Sequence, residues 1–307
     1  MMKKRMISVL LALSCAALWG CGKKAEEPSP QEEKAAIVVY SEDEVPSFEE
    51  EAPEKTEEEI SPEEPEIISD TETRERDLDG DGIAEHLALR EEGTPDGWTL
   101  WSIAVTDAGG RESRFDSAIW SKAKLRLEDL DGDGRCELLL WGDEGSDDPV
   151  TYVLRWENGE FHTLEFETGR ETDDALAPVA GCVLEVNGRS LTLEAWQYVL
   201  GTYGGRRIYE LGEDDVFRPA AGSIWEFTLN TQWLTAKTEL SGALEDGTSA
   251  LPKGTRLRLL GWDGIRQVYF ELEDGRRGTF VLSRGETGWT IGGVGEFDAF
   301  YRLPYAG

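Results

Sequence analysis

The sequence predicts an all-β protein built from antiparallel sheets. Two copies of one acidic loop, DLDGDGIAE at 77–85 and DLDGDGRCE at 129–137, each precede a run with strand character. Asn158-Gly159 and Asn187-Gly188 each separate two apolar runs, which is a strong signal for a β-hairpin. No long stretch carries the 3.6-residue period of an amphipathic helix. We therefore expect blade-like antiparallel sheets, arranged as an incomplete propeller or an open stack, followed by a small β-barrel.

Residues 1–20 are expected to be a signal peptide rather than part of the fold. Basic residues at 3–5 precede an apolar stretch at 6–19, and Gly20 and Cys21 follow it. The apolar stretch is too short for an uncleaved membrane anchor. The LWGC that ends at Cys21 resembles the signal of a bacterial lipoprotein. The resemblance implies a lipid on Cys21 and attachment to the membrane at the bacterial cell surface, and an ordinary secretory signal is the alternative.

Residues 21–70 form an acidic segment dominated by Glu, Pro, Lys and Ala. Low hydrophobicity and like charge provide too little burial to offset the entropy of ordering. We predict a disordered linker that its own charge extends into a stalk. The apolar residues 37–40, IVVY, interrupt this segment and indicate a transient strand, a docking patch or only a short apolar patch.

The charge of the chain excludes several classes of function. It has 31 Lys+Arg against 63 Asp+Glu, a formal net charge of -32, whereas binding to nucleic acid phosphates requires an excess of cations. Such acidity suits solubility and cation binding. His86 and His162 are the two histidines, so a multi-histidine metal site or a Ser/His/Asp catalytic centre is hard to build.

Residues 71–222 are expected to form a domain of repeated β-units. The two acidic loops and the residues after them align without a gap at a spacing of about fifty residues, a period typical of propeller blades. Strand character follows each loop and returns at 98–105 in the first unit and at 151–156 in the second. A third, degenerate unit without an acidic loop is expected within 173–217.

Each acidic loop carries oxygen ligands at a spacing that suits a hard cation. Carboxylates stand at loop positions 1, 3, 5 and 9, position 7 offers a backbone carbonyl, and glycine at position 6 permits a sharp turn. The candidate ligands are Asp77, Asp79, Asp81, the carbonyl of Ile83 and Glu85 in the first loop, and Asp129, Asp131, Asp133, the carbonyl of Arg135 and Glu137 in the second. We expect one structural Ca²⁺ in each loop, two in all, to offset the repulsion among the carboxylates. The alternative is that the Asp-Gly pairs only form turns.

The second half of each loop departs from the helix-loop-helix calcium motif. That motif has a bidentate Glu at position 12, where this chain has Ala88 and Leu140, and strand rather than helix follows. Residues 71–168 instead resemble the FG-GAP and VCBS repeats of integrin-like propeller blades. The resemblance implies that the carboxylates hold Ca²⁺ between the first two strands of each blade. Because a propeller needs at least four blades, two repeats predict an incomplete propeller or an open stack.

Two cysteines remain in the part of the chain that is expected to fold, namely Cys136 and Cys182. Outside the cytoplasm two cysteines are able to pair. The alternative, two small buried thiols, is favoured because sequence spacing alone does not indicate a disulfide.

Residues 223–307 are expected to form a separate C-terminal module. The segment 251–264 alternates apolar and polar residues, and Asp274-Gly275 marks a hairpin within 268–282. These features and the GRRGTF run after the turn resemble a bacterial Src-homology-3-like domain. The resemblance implies a small barrel that binds a cell-wall peptide or another protein through exposed aromatics. Trp262 is the candidate ligand-facing aromatic, and the alternative is that it belongs to the barrel core.

These observations favour a surface-anchored, non-enzymatic binding or scaffold lipoprotein with two structural Ca²⁺ ions. Its expected partners are the membrane, through the lipid on Cys21, and a cell-wall component or another envelope protein. The alternative is a cell-envelope enzyme that acts on a glycan or peptide through acidic residues. An enzyme is disfavoured because the conspicuous carboxylates are assigned to metal, with no nucleophile or base beside them. A purely mechanical spacer is a third hypothesis.

Overall fold

A computed structural model describes residues 66–94, 97, 99–145, 148–167 and 178–305 of the chain. All of them belong to one compact unit, Ser61–Gly307. The signal peptide predicted at 1–20, the lipidation site Cys21 and most of the linker predicted at 21–70 lie outside the described residues. Those assignments therefore stay predictions.

Ordered structure begins before the limit expected near residue 71. The strand β1 (Ile67–Ile68) pairs antiparallel with a strand of the sheet that carries the second acidic loop, with Ile68 opposite Leu125. Ile68 is buried, and Arg74 forms ion pairs with Glu66 at 2.9 Å and Asp70 at 2.8 Å. The end of the predicted linker is thus ordered, because one buried apolar side chain and these ion pairs stabilise it.

Three consecutive four-stranded antiparallel units, which we call meanders 1, 2 and 3, follow β1. Meander 1 consists of β2 (Arg74–Arg76), β3 (Glu85–Gly93), β4 (Thr99–Thr106) and β5 (Glu112–Asp116). Meander 2 consists of β6 (Ser121–Glu128), β7 (Glu137–Asp143), β8 (Pro149–Glu157) and β9 (Glu160–Thr163). After the short strands β10 (Glu165–Phe166) and β11 (Val179–Ala180), meander 3 consists of β12 (Cys182–Asn187), β13 (Ser190–Tyr198), β14 (Thr202–Leu211) and β15 (Val216–Pro219). Meander 3 lies where the sequence predicts a third unit without an acidic loop.

Meander 2 packs between the other two meanders and is buried on both faces. Successive side chains of a strand point to opposite faces. In β7, Leu138 and Leu140 belong to the apolar core shared with meander 1, whereas Leu139 and Trp141 belong to the core shared with meander 3. This double burial explains why β7 and β8 are continuously apolar, since both faces of each strand contact another sheet.

The C-terminal module is built from short antiparallel strands around a third apolar core. Its elements are β16 (Trp225–Leu229), β17 (Leu234–Ala236), β18 (Leu240–Ser241), β19 (Ala243–Leu244), β20 (Ala250–Leu251), β21 (Arg256–Trp262), β22 (Gln267–Leu272), β23 (Arg277–Arg284), β24 (Trp289–Ile291), β25 (Val294–Gly295), α1 (Glu296–Ala299) and β26 (Phe300–Tyr301). The hairpin predicted at Asp274-Gly275 is confirmed, because it joins β22 to β23 and Gly275 has φ 86°. Phe270 and Phe280 are fully buried and stack with ring centroids 4.3 Å apart.

One sheet crosses the domain boundary predicted between residues 222 and 223. β14 of meander 3 pairs with β16, and β16 pairs with β21 through Trp225 and Trp262. Within the described residues all but one of the strand pairs are antiparallel, the exception being the parallel pair of β10 and β15, and no sheet closes into a barrel. The all-β, antiparallel fold class is confirmed at this level. The blade and Src-homology-3-like arrangements stay predictions.

Candidate metal centre

The two acidic loops occupy equivalent places in meanders 1 and 2. The first connects β2 to β3, and the second connects β6 to β7. Asp77 begins the first loop and accepts hydrogen bonds from the amides of Gly80 and Gly82, both at 2.9 Å. The corresponding glycine amides of the second loop donate to Asp129 at 2.7 and 3.0 Å. All four glycines have left-handed φ between 74° and 86°, a conformation that glycine adopts without steric cost.

Each loop gathers three carboxylates into one cluster. Each residue of a cluster contributes one carboxylate oxygen, and these oxygens lie within 4.8 Å of one another. The clusters consist of Asp77, Asp79 and Glu85 in meander 1 and of Asp129, Asp131 and Glu137 in meander 2. Both glutamates are buried. The amide of Leu78 donates to Glu85 at 2.9 Å, and the amide of Leu130 donates to Glu137 at the same distance. Two acidic clusters that could each hold a metal ion are therefore present.

The donor chemistry of the clusters selects among metal ions. Each cluster offers carboxylate oxygens, without a histidine or a cysteine. Oxygen donors suit the hard cations Ca²⁺ and Mg²⁺, whereas zinc and copper sites use imidazole nitrogen or thiolate sulfur. The residues present therefore fit a hard divalent cation.

Burial raises the pKa of both cluster glutamates. For Glu85, loss of solvation is the largest cause, the Leu78 amide opposes it, and the negative charges of the other loop carboxylates raise the pKa further. For Glu137, loss of solvation is again the largest cause, while the Leu130 amide and the guanidinium of Arg155 lower the pKa. The positive charge of Arg155 therefore lowers the pKa of Glu137, whereas the carboxylates around Glu85 raise its pKa.

The predicted carboxylate ligands at loop position 5 lie outside both clusters. Asp81 accepts the amide of Ile83 at 2.7 Å, and Asp133 accepts the amide of Arg135 at 2.9 Å. Such bonds to an amide two residues on are the usual turn interaction of an aspartate. Asp81 and Asp133 are exposed, and neither is among the clustered acids. The carbonyls of Ile83 and Arg135 stay predicted ligands.

The two loops contact each other. The amide of Cys136, at the end of the second loop, donates to the carbonyl of Leu78 in the first loop at 3.1 Å. A Cβ atom added to Gly80 would lie 3.1 Å from the carbonyl oxygen of Gly134. The glycine at this position in the first loop is therefore required both by its φ and by its neighbour.

The guanidinium of Arg155, a residue that no sequence motif singles out, lies at the second cluster. Its Nε and Nη2 donate to Glu137 at 2.9 and 2.7 Å, and Nη2 also donates to Asp131 at 3.2 Å. The alternating pattern of TYVLRW assigns this residue to a strand but does not indicate which acid it faces. The register of β7 and β8 decides this, because it pairs Glu137 with Arg155.

The remaining predicted residues have structural contacts. Cys136 and Cys182 are free thiols, and burial raises the pKa of both. Trp262 is partly buried, its indole N–H donates to Gln197 at 2.9 Å, and its ring meets Trp289 edge-on at a centroid distance of 5.8 Å. Because Trp262 packs against two apolar cores, these contacts favour the alternative that it belongs to the core.

Exposed aromatics lie elsewhere in the C-terminal module. Phe297, Tyr301 and Tyr305 are each about half exposed and line a surface cleft of about 320 Å³. The rings of Phe297 and Tyr305 stack with centroids 5.7 Å apart. The aromatic residues of this tail are visible in the sequence, but no local pattern shows which of their rings stay exposed.

No helix in the described part of the chain is long and apolar enough to cross a membrane.

Comparison with known proteins adds no further assignment. No family model matches the chain, and neither a curated protein nor a solved structure matches it significantly.

Proposed function

We propose that this protein is a surface-anchored, non-enzymatic binding or scaffold lipoprotein whose repeats are stabilised by Ca²⁺ in the two acidic loops. The observation that carries the proposal is the presence of two equivalent carboxylate clusters, each with a buried glutamate. Holding three like charges within 4.8 Å costs free energy in the folded state. A bound divalent cation would offset that cost.

Calcium suits these loops better than magnesium. Ca²⁺ accepts six to eight oxygen ligands in a flexible geometry, whereas Mg²⁺ demands near-octahedral geometry and gives up water reluctantly. Extracellular calcium modules typically bind with dissociation constants of about 10⁻⁴–10⁻³ M. At that affinity the ion would act as a permanent structural part outside the cell, holding the first two strands of each meander together.

We further propose that meanders 1 and 2 are FG-GAP- or VCBS-like blades. Support comes from their four sequential antiparallel strands and from the acidic loop between the first two strands of each. The hairpins of β21, β22 and β23 around Phe270 and Phe280 support a relationship of the C-terminal module to Src-homology-3-like domains. The exposed aromatics at Phe297, Tyr301 and Tyr305 are the surface that we assign to a cell-wall component or another envelope protein.

Thermal unfolding with and without Ca²⁺ tests the metal proposal. At a hundredfold excess over the dissociation constant, one site adds about 2.7 kcal/mol to the free energy of unfolding. We expect the melting temperature to rise in millimolar Ca²⁺, to rise less in Mg²⁺, and to fall on addition of EDTA. The double variant Asp79→Ala, Asp131→Ala should lose nearly all of this response.

A matched control distinguishes loss of a ligand from loss of any acid. Asp298 is exposed and lies in α1, outside both loops. Asp298→Ala should keep the full calcium response. A wild-type melting temperature that is indifferent to millimolar Ca²⁺ would contradict the metal proposal and favour the interpretation of the loops as turns.

Membrane attachment is tested separately through Cys21. If the lipid on Cys21 anchors the chain, Cys21→Ser should move the protein from the membrane fraction to the soluble fraction of fractionated cells. Cys182→Ser is the matched control and should stay with the membrane. Unchanged membrane retention of Cys21→Ser would rule out this anchor.

A further inference from the structure

We infer that the two loops are not equivalent metal sites: the second carries the guanidinium groups of Arg155 and Arg135 as built-in cations, and Ca²⁺ binds it more weakly than the first. The inference rests on the proposed metal-binding function and goes beyond it, because nearly identical loop sequences predict nearly identical sites.

Arg155 occupies the position between two carboxylates of the second cluster. Its Nε and Nη2 both donate to one oxygen of Glu137, and Nη2 also reaches Asp131. Its Nη1 donates to Asp215 at 3.2 Å. Glu137 is fully buried, and 11% of the Arg155 side chain is exposed. The guanidinium thus neutralises a desolvated carboxylate in place of a metal ion.

A second guanidinium pairs with the same loop. The Nε of Arg135 lies 2.9 Å from a carboxylate oxygen of Asp133, and Arg135 also pairs with Glu157. Asp131, Asp133 and Glu137 therefore each have an arginine partner. The remaining carboxylate of the loop, Asp129, accepts backbone amides.

The first loop has neither arginine. Ile83 stands where the second loop has Arg135, and it is exposed. No arginine corresponds to Arg155 there: the β3–β4 pairing ends at His86 opposite Thr106, one residue short of Glu85, and Asp107 is the next residue after β4. Within the ranges that the structure describes, the ion pairs include no carboxylate of the first loop. Its four negative charges are therefore left for a metal ion to neutralise.

Calcium that takes the Glu137 and Asp131 oxygens bonded to Arg155 must displace the guanidinium. The displaced guanidinium keeps Asp215, which is 55% exposed and so a weaker partner than a buried carboxylate. Loss of charge-assisted hydrogen bonds should weaken binding at the second loop on the order of ten- to a hundredfold relative to the first.

Calorimetric titration of the purified full chain with CaCl₂ tests this inference. We expect two classes of site in the wild type, separated at least tenfold in affinity. Asp79→Ala should remove the tighter class, and Asp131→Ala should remove the weaker class and leave the tighter one unchanged. Arg155→Gln should raise the affinity of the weaker class about tenfold or more, because calcium then meets an unpaired cluster.

The matched control is Arg126→Gln. Arg126 is 14% exposed, similar to Arg155, and its Nη2 pairs with Glu128 at 2.7 Å in the same sheet without contacting a loop carboxylate. This variant should leave both classes unchanged. Arg135→Gln removes only the half-exposed guanidinium and should raise the affinity of the weaker class about two- to fivefold; it provides the same test if Arg155→Gln does not fold.

The titration distinguishes failure of this inference from failure of the proposed calcium binding. Two sites of equal affinity, unchanged by Arg155→Gln or Arg135→Gln, would overturn this inference and leave the proposed calcium function intact. A wild-type chain that binds no calcium in the titration would overturn both.

Discussion

The two acidic loops have the same backbone and the same carboxylates, but they differ in electrostatic surroundings. Asp77 and Asp129 accept the same pair of glycine amides, and the buried glutamates accept the same leucine amide in each loop. The difference comes from the third strand of each meander, where β8 places Arg155 opposite Glu137 and the end of β4 is followed by Asp107. The local motif thus determines the loop geometry, while a neighbouring strand determines its charge.

The position of each loop among the meanders explains the difference. The first loop contacts the second through Leu78 and Cys136. The second loop has no acidic loop beyond it, because in meander 3 a two-residue turn at Gly188 and Arg189 joins β12 to β13. Arg155 instead extends to Asp215, between β14 and β15. A buried guanidinium therefore supplies the positive charge at the interface of meanders 2 and 3.

The largest expected effect on stability comes from replacing Arg155 in the metal-free protein, and it tests the difference between the two loops directly. Arg155→Gln should cost about 3–5 kcal/mol in EDTA, because Glu137 would be left as a buried, unpaired charge. The matched variant in meander 1, Asp107→Asn, should change the free energy of unfolding by less than about 0.5 kcal/mol. Urea unfolding in EDTA measures both. Equal costs for the two variants would mean that the loops do not differ in their need for an internal cation.

A smaller effect is expected from the close contact of Gly80 with the second loop. Gly80 and Gly132 have φ 74° and 76°, so alanine at either position should cost about 1–2 kcal/mol. Gly80→Ala should cost about 1 kcal/mol more, because its Cβ would crowd the carbonyl oxygen of Gly134 at 3.1 Å, whereas Gly132 has open space. Thermal unfolding of the two variants checks the difference. Identical melting temperatures would show that the loops do not touch in solution.

The smallest effect is a difference in sign between two conservative variants. In EDTA, Asp79→Asn should stabilise the fold by about 0.5 kcal/mol, because it relieves repulsion in a cluster without a cation. Asp131→Asn should destabilise it by about 0.5–1 kcal/mol, because it removes a partner of Arg155. Chemical denaturation of both variants in EDTA gives the two signs, and stabilisation by both would contradict the role of Arg155.

Much of the fold and part of the candidate site follow from short-range patterns in the sequence. Asn158-Gly159 forms the predicted two-residue turn between β8 and β9, with φ 52° and 79°, because these residues tolerate left-handed backbone. The turn at Asn187-Gly188 lies one residue later than predicted, since Asn187 still pairs with Ser190. The cluster acids at loop positions 1, 3 and 9 were found because their spacing within a tight loop brings them together. Local steric and hydrogen-bonding preferences suffice for features of this kind.

By itself, the sequence determined the all-β class, the two loops with their clustered carboxylates, and the third unit that lacks a loop. Only the tertiary structure decided that Arg155 neutralises Glu137 and that Asp215, sixty residues away in the chain, also binds Arg155. It likewise decided that one sheet crosses the domain boundary expected between residues 222 and 223. It also decided that Trp262 packs against two cores, whereas Phe297, Tyr301 and Tyr305 stay exposed. The physical reason is that strand register and sheet packing bring together residues distant in sequence. No local sequence pattern predicts which charged side chain will be buried or which partner it will face.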